Sequence, residues 1–109
     1  MPNVSVYIPS ARMPDTAALE RFTEECTELC TGILRAALNN VHIIFIPVLP
    51  QGRGHDAFVE VQYRLEKFRS PEVMAEFLTK IDRTVKERFG FTARIRCFGY
   101  GPEAIYALN

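Results

Sequence analysis

Residues 3–15, NVSVYIPSARMPD, and residues 58–72, FVEVQYRLEKFRSPE, carry one pattern twice in the same chain. In each stretch apolar residues alternate with others at the period of a half-buried strand: Val4, Val6 and Ile8 in the first, Val59, Val61, Tyr63 and Leu65 in the second. Each strand then runs to an arginine, an unmatched residue, a proline and an acid. Arg12-Met13-Pro14-Asp15 and Arg69-Ser70-Pro71-Glu72 agree in type at three of four places. Helix-start preferences explain the proline, whose missing N–H is unpaired there anyway, and the acid, which favours the positive end of the helix dipole. They do not explain the arginines. The agreement predicts an internal duplication within a single domain, 1–109, with pseudo-repeats over about 2–50 and 57–109.

Working outward, the spacing of Leu19, Phe22, Cys26, Leu29 and Cys30 predicts an amphipathic helix from Pro14 to about Thr31, with Pro14 its first residue and Gly32 a left-handed cap. Val41 to Val48, VHIIFIPV, is so apolar and β-branched that a strand buried largely on both faces is expected. Pro50, Gly52 and Gly54 make a loop before the strand Phe58–Leu65. Ser70 and Pro71 begin a second helix, striped by Met74, Phe77, Leu78, Ile81 and Val85, that ends at Gly90, and Phe91 to Tyr100 forms a fourth strand. The fold class is therefore α+β: a tandem β-α-β repeat whose right-handed crossovers place both helices on one face of a four-stranded mixed sheet. Strands two and four carry too many large apolar residues to leave the other face in water. A symmetric oligomer is the expected cover, and two quasi-equivalent halves can close a ring of three.

Composition narrows the partners. The chain has 109 residues, 48% of them hydrophobic, enough for one core and no second domain. Thirteen basic and thirteen acidic residues cancel, which argues against a nucleic-acid partner. No apolar run approaches the about twenty residues that span a bilayer, and the start lacks the features of a signal peptide, so no membrane association and a cytoplasmic location are expected. Cys26, Cys30 and Cys97 are an odd set without CxxC spacing, read as reduced thiols and not as a disulfide or metal site, and Cys26 and Cys30, one helical turn apart on an apolar face, are read as core residues.

Pro2 is the residue on which chemistry centres. Removal of Met1 before a small residue leaves a secondary amine at the start of strand one, a base with a reference pKa of about 7.7 to 8.0 that burial beside cations lowers. Arg12 and Arg69 occupy corresponding places in the two halves, where a guanidinium can hold a carboxylate through two hydrogen bonds or stabilise enolate charge. His42 is open to two readings, a proton donor or a satisfied core residue. His55 with Asp56 reads either as a catalytic pair or as part of a structural turn.

These features resemble the tautomerase superfamily across nearly the whole chain. Pro2, the alternating strand and Arg12 are similar to the start of 4-oxalocrotonate tautomerase. Thr31-Gly32-Ile33, Val41-His42, His55-Asp56-Ala57-Phe58-Val59, Arg69-Ser70 and Ala104 to Leu108 resemble the 5-carboxymethyl-2-hydroxymuconate isomerase branch. Pro2, Pro14-Asp15 and Thr31-Gly32 are shared with the macrophage migration inhibitory factor (MIF) branch. The resemblance implies a homotrimer with sites between subunits, a small anionic 2-oxo acid as substrate, no cofactor or metal, and a place in aromatic catabolism. It assigns Pro2 as general base and acid and Arg12, Arg69, Arg94 and His42 as substrate-binding. The chain departs from the pattern at His42, where the shorter tautomerases carry an arginine, with Arg94 at the equivalent place in the second half. It departs also at Leu38, where the isomerase branch has an arginine and the nearest basic residue is Arg35. Decarboxylation or hydration through a cationic Pro2, and a non-catalytic binding role, are the alternatives.

Overall fold

A computed structural model describes residues 1–109. The chain forms β1 (Asn3–Pro9), α1 (Thr16–Gly32), β2 (His42–Val48), β3 (Ala57–Arg64), α2 (Pro71–Phe89) and β4 (Ala93–Tyr100), with short 3-10 turns at Ser10–Arg12, Leu38–Asn40 and Pro102–Ala104. The sheet order is β2-β1-β3-β4. β1 pairs parallel with β2 and β3 parallel with β4, while β1 and β3 meet antiparallel at the centre. Each parallel pair needs a crossover, and one helix supplies each. The result is a four-stranded mixed sheet with two helices on one face.

The core lies between them. Val4, Val6 and Ile8 of β1 and Ala57, Val59 and Val61 of β3 pack with Phe22, Cys26 and Cys30 of α1 and Phe77, Ile81 and Val85 of α2. Phe22 stacks on Phe89 at 5.0 Å and meets Phe45 edge-on at 5.8 Å. An ion pair from Arg88 to Glu25 ties the end of α2 to α1. No helix is long and apolar enough to cross a membrane.

Three local expectations are corrected. Pro14 is not helical: α1 begins at Thr16, and the Asp15 carboxylate caps it by accepting from the Ala18 N–H at 2.8 Å. In the second half Ser70 is the cap, accepting from the Val73 N–H at 3.3 Å, and Pro71 is the first helical residue. The matching motifs are thus offset by two residues on their helices. The cause is chemical, because Met13 has no oxygen to cap with and Ser70 does. Gly32 is not the left-handed cap either. The chain stays helical through Ile33 so that Leu34 is fully buried, and the positive φ falls on Arg35, at 54°. Gly90, by contrast, is a left-handed cap with φ 69°.

β2 departs most from its expected burial. It is an edge strand with His42, Ile44 and Pro47 exposed, and only its helix-facing residues Ile43 and Phe45 pack on the core. The opposite sheet face presents Ile44, Phe98 and Tyr100, all more than a third exposed.

Candidate active site

The antiparallel pairing of β1 with β3 gives the domain two similar corners at opposite ends of the sheet. Asn3 lies opposite His42 on β2, and Phe58 lies opposite Arg94 on β4. The second half therefore repeats the first with Ala57 in the place of Pro2 and Arg94 in the place of His42. Each arginine at the end of a central strand falls in the other half's corner. Arg69, after β3, shares the end of the sheet with Pro2, and Arg12, after β1, shares the end with Ala57.

In the first corner the Pro2 ring is fully buried, and the Pro2 carbonyl accepts the His42 backbone N–H at 3.1 Å. This hydrogen bond extends the β1–β2 pairing by one residue and pins the proline instead of leaving it to fray. Arg69 donates through Nε to the Leu34 carbonyl at 2.9 Å and through Nη1 to the Arg64 carbonyl at 2.7 Å. It thereby clamps the turn after α1 to the end of β3. Its guanidinium lies 5.2 Å from the Phe68 ring centre, and that of Arg35 lies 4.9 Å from the same ring. Burial lowers the Arg69 pKa from its ordinary value, while the nearby Glu66 opposes the shift. Five N–H donors with two engaged leave three, enough for a bidentate contact with a carboxylate.

His42 does not sit in an apolar core. It is exposed at the start of the edge strand, on the sheet face opposite the helices.

The second corner encloses a cavity of about 590 Å³ lined by Arg12, Arg53, His55, Asp56, Phe58 and Arg94 among others. Arg12 Nη1 donates to Asp56 Oδ1 at 2.7 Å, and its guanidinium lies 4.7 Å over the Phe91 ring. The Thr92 N–H donates to Asp56 Oδ2 at 3.2 Å. The hydrogen bond from Arg12, then that from Thr92, holds the Asp56 carboxyl below its usual range. With both Asp56 oxygens so used, the carboxylate closes the loop onto the start of β4 rather than serving His55. The turn reading of His55-Asp56 is the one the geometry favours.

Within one chain Pro2 and Arg12 are not neighbours. The seven residues of β1 stand between them, roughly 23 Å at about 3.3 Å per residue. The sequence grouped them because β1 joins them, but a strand separates what it joins. Arg53, Tyr7 and Phe58 escaped the sequence reading. Tyr7 and Phe58 did leave a signal, aromatic residues at the outward positions of alternating strands, and they stack at 5.7 Å. Cys26 and Cys30 are fully buried in the core, and burial pushes the half-buried Cys97 thiol up to about 11.

No protein-family model matches the chain, and no curated protein matches it in sequence. Solved structures match in fold. A member of the cis-3-chloroacrylic acid dehalogenase family superposes with a TM-score of 0.81 at 14% identity, over 97% of this chain and 80% of that one. A wild-type fused 4-OT, a symmetric trimer, gives 0.81 at 21% identity over 98% and 94%. MIF from Toxoplasma gondii gives 0.76 at 11% over 97% and 96%. At these identities the likeness is one of fold.

Proposed function

We propose that the chain belongs to the tautomerase superfamily and acts as a cofactor-independent isomerase, with Pro2 as general base and acid once Met1 is removed. The observation that carries this reading is the state of Pro2, fully buried and fixed to β2 through its carbonyl while Arg69 stands at the same end of the sheet. Burial disfavours a charged amine, so a freed Pro2 nitrogen is a neutral base near pH 7. It removes a proton from carbon beside or conjugated to the carbonyl of an unsaturated 2-oxo acid. Arg69 holds the carboxylate and stabilises the dienolate. The protonated proline then returns the proton at another carbon of the conjugated system.

His42, Arg12 and Arg94 enter this reading through assembly. The exposed apolar sheet face supports burial against further copies, and the trimeric fused 4-OT of the same fold supports three. In such a ring a neighbouring copy brings residues of its own sheet face toward Pro2. The branch resembling 5-carboxymethyl-2-hydroxymuconate isomerase remains the proposed placement, on the motifs around Thr31, His55 and Arg69.

Intact mass establishes whether Met1 is gone. Ultraviolet assays with 2-hydroxymuconate, phenylpyruvate enol and carboxymethyl-hydroxymuconate then compare wild type with Pro2→Ala. A loss of about 10²- to 10⁴-fold is expected, the size of a general-base contribution. Activity that survives the substitution refutes the role of Pro2, and turnover only of a 3-oxo acid with carbon dioxide release replaces isomerase by decarboxylase.

A further inference from the structure

The two halves leave their helices through the same backbone conformation with different residues. α2 ends on Gly90, at φ 69°, and the turn after α1 goes left-handed at Arg35, at φ 54°. Glycine takes that conformation freely, whereas a residue with a Cβ is disfavoured in it. A glycine is close at hand, since Gly32 stands in a stretch that is still helical and has open space around it. The chain therefore keeps a strained arginine where its own second half uses a glycine. Strain of this kind points to a role for the side chain outside the fold.

The contacts of Arg35 do not supply a structural reason. Its side chain is exposed and forms no hydrogen bond or ion pair within the chain, unlike those of Arg12, Arg69 and Arg88. Its guanidinium lies 4.9 Å from the centre of the Phe68 ring, and that of Arg69 lies 5.2 Å from the same centre. The two guanidinium carbons are thus no more than about 10 Å apart, the Debye length in roughly 0.1 M salt, so their charges repel. A ligand with two negative charges relieves that repulsion. The place is also the right one. α1 runs back from the end of β1 to the level where β1 and β2 start, so its exit lies at the Pro2 end of the sheet. Arg69 Nε donates there to the carbonyl of Leu34, the residue before Arg35. Arg69 keeps three N–H groups free and Arg35 keeps all five, so each can take a carboxylate through two hydrogen bonds.

We propose that Arg35 sets the substrate class of the Pro2 site by binding the second carboxylate of a dicarboxylate whose 2-oxo acid end is held by Arg69. The inference rests on the reading of Pro2 and Arg69 given above and adds to it a preference for a conjugated dianion over a monoanion of the same length. The proline and the first guanidinium need only one carboxylate. The second guanidinium is what selects for another.

Two planar dienoic acids of equal length test this: muconate, with a carboxylate at each end, and sorbate, with a methyl group at one. In calorimetric titrations of the protein freed of Met1, the wild type is expected to bind muconate at least about tenfold more tightly than sorbate, the scale of one charge-assisted hydrogen-bonded pair. Arg35→Gln and Arg35→Gly are expected to bring the two affinities within about twofold of each other. Arg35→Gly also releases the left-handed backbone, so its Tm is expected to be no lower than that of the wild type. A fall of more than about 4 °C shows that the arginine serves the fold, and overturns the proposal. Equal binding of the two acids by the wild type, or variants that keep the wild-type preference, overturns it as well. So does an equal loss of both acids in the variants, which means that the two arginines share a single carboxylate. Pro2→Ala separates this inference from the reading beneath it, because that variant is expected to lose turnover of 2-hydroxymuconate while still preferring muconate to sorbate. Turnover that survives Pro2→Ala refutes the base, and the preference between the two acids is still decided by the Arg35 variants.

Discussion

Replacing Arg69 with alanine tests structure and function at one residue. The side chain donates to two backbone carbonyls on different elements and stacks near Phe68. A hydrogen bond from a charged donor contributes about 1.5–3 kcal/mol when well buried, and a cation–π contact at an exposed site about 0.5–1 kcal/mol. Arg69 is only half-buried, so the lower ends apply. The expected loss is about 2–4 kcal/mol, or a fall in Tm of roughly 10 °C or more at about 4–8 °C per kcal/mol. Arg69→Lys keeps the charge but not the fork, and one ammonium cannot replace the two directed bonds, so it recovers less than half of that loss. Urea denaturation checks both variants. The same variants report on the proposed substrate contact: kcat/KM on an active enol or muconate substrate, measured on folded protein below the variant's melting range, is expected to fall at least about a hundredfold, as when a charge partner is truncated. An Arg69→Ala protein within about 0.5 kcal/mol of wild type, the scatter of ordinary surface changes, refutes the clamp. A protein that loses stability but keeps its kcat/KM shows that Arg69 is structural alone.

Two further outcomes follow from single contacts. Asp56 has a depressed carboxyl pKa in the folded chain, so its contribution to stability is present above the unfolded value of about 3.9 and disappears as pH falls through the lower folded value. Asp56→Asn is therefore expected to unfold at lower urea than wild type at pH 7, with the gap closing below about pH 4; a gap independent of pH refutes the linkage. Gly99 has no room for a side chain, since a Cβ there stands 2.6 Å from Leu65 Cδ2 and 2.8 Å from Tyr63 Cζ. Gly99→Ala is expected to cost about 1–3 kcal/mol in urea denaturation, and a neutral result means that Tyr63 swings aside freely.

The sequence made the elements legible because their periods are strong. Alternation in β1 and, apart from the exposed Leu65, in β3, together with the stripe of α2, places buried residues where the structure has them, down to Ser70 and Pro71 at the helix start. It failed where tertiary geometry decides. Leu34 carries the end of α1 past Gly32 because a buried leucine outweighs a favourable cap, a choice no local rule contains. The apolar run of β2 implies burial on both faces, but the chain places that strand at an edge and leaves its second face exposed. The candidate residues were nameable from the sequence, and their arrangement was not. Pro2, Arg12, Arg69, Arg94 and His42 were all identifiable by type and place in the repeat, yet which arginine stands with Pro2 depends on the direction in which β3 runs against β1.

That direction has a consequence for any duplicated β-α-β chain. If the two central strands were parallel, each arginine at a strand end would return to its own half, and Pro2 would share a corner with neither Arg12 nor Arg69. Because they are antiparallel, every strand end meets the start of the other half. One copy of the repeat therefore completes the corner of its sibling. The two corners differ in residue: Ala57 stands where the first has Pro2, and Arg94 stands where it has His42.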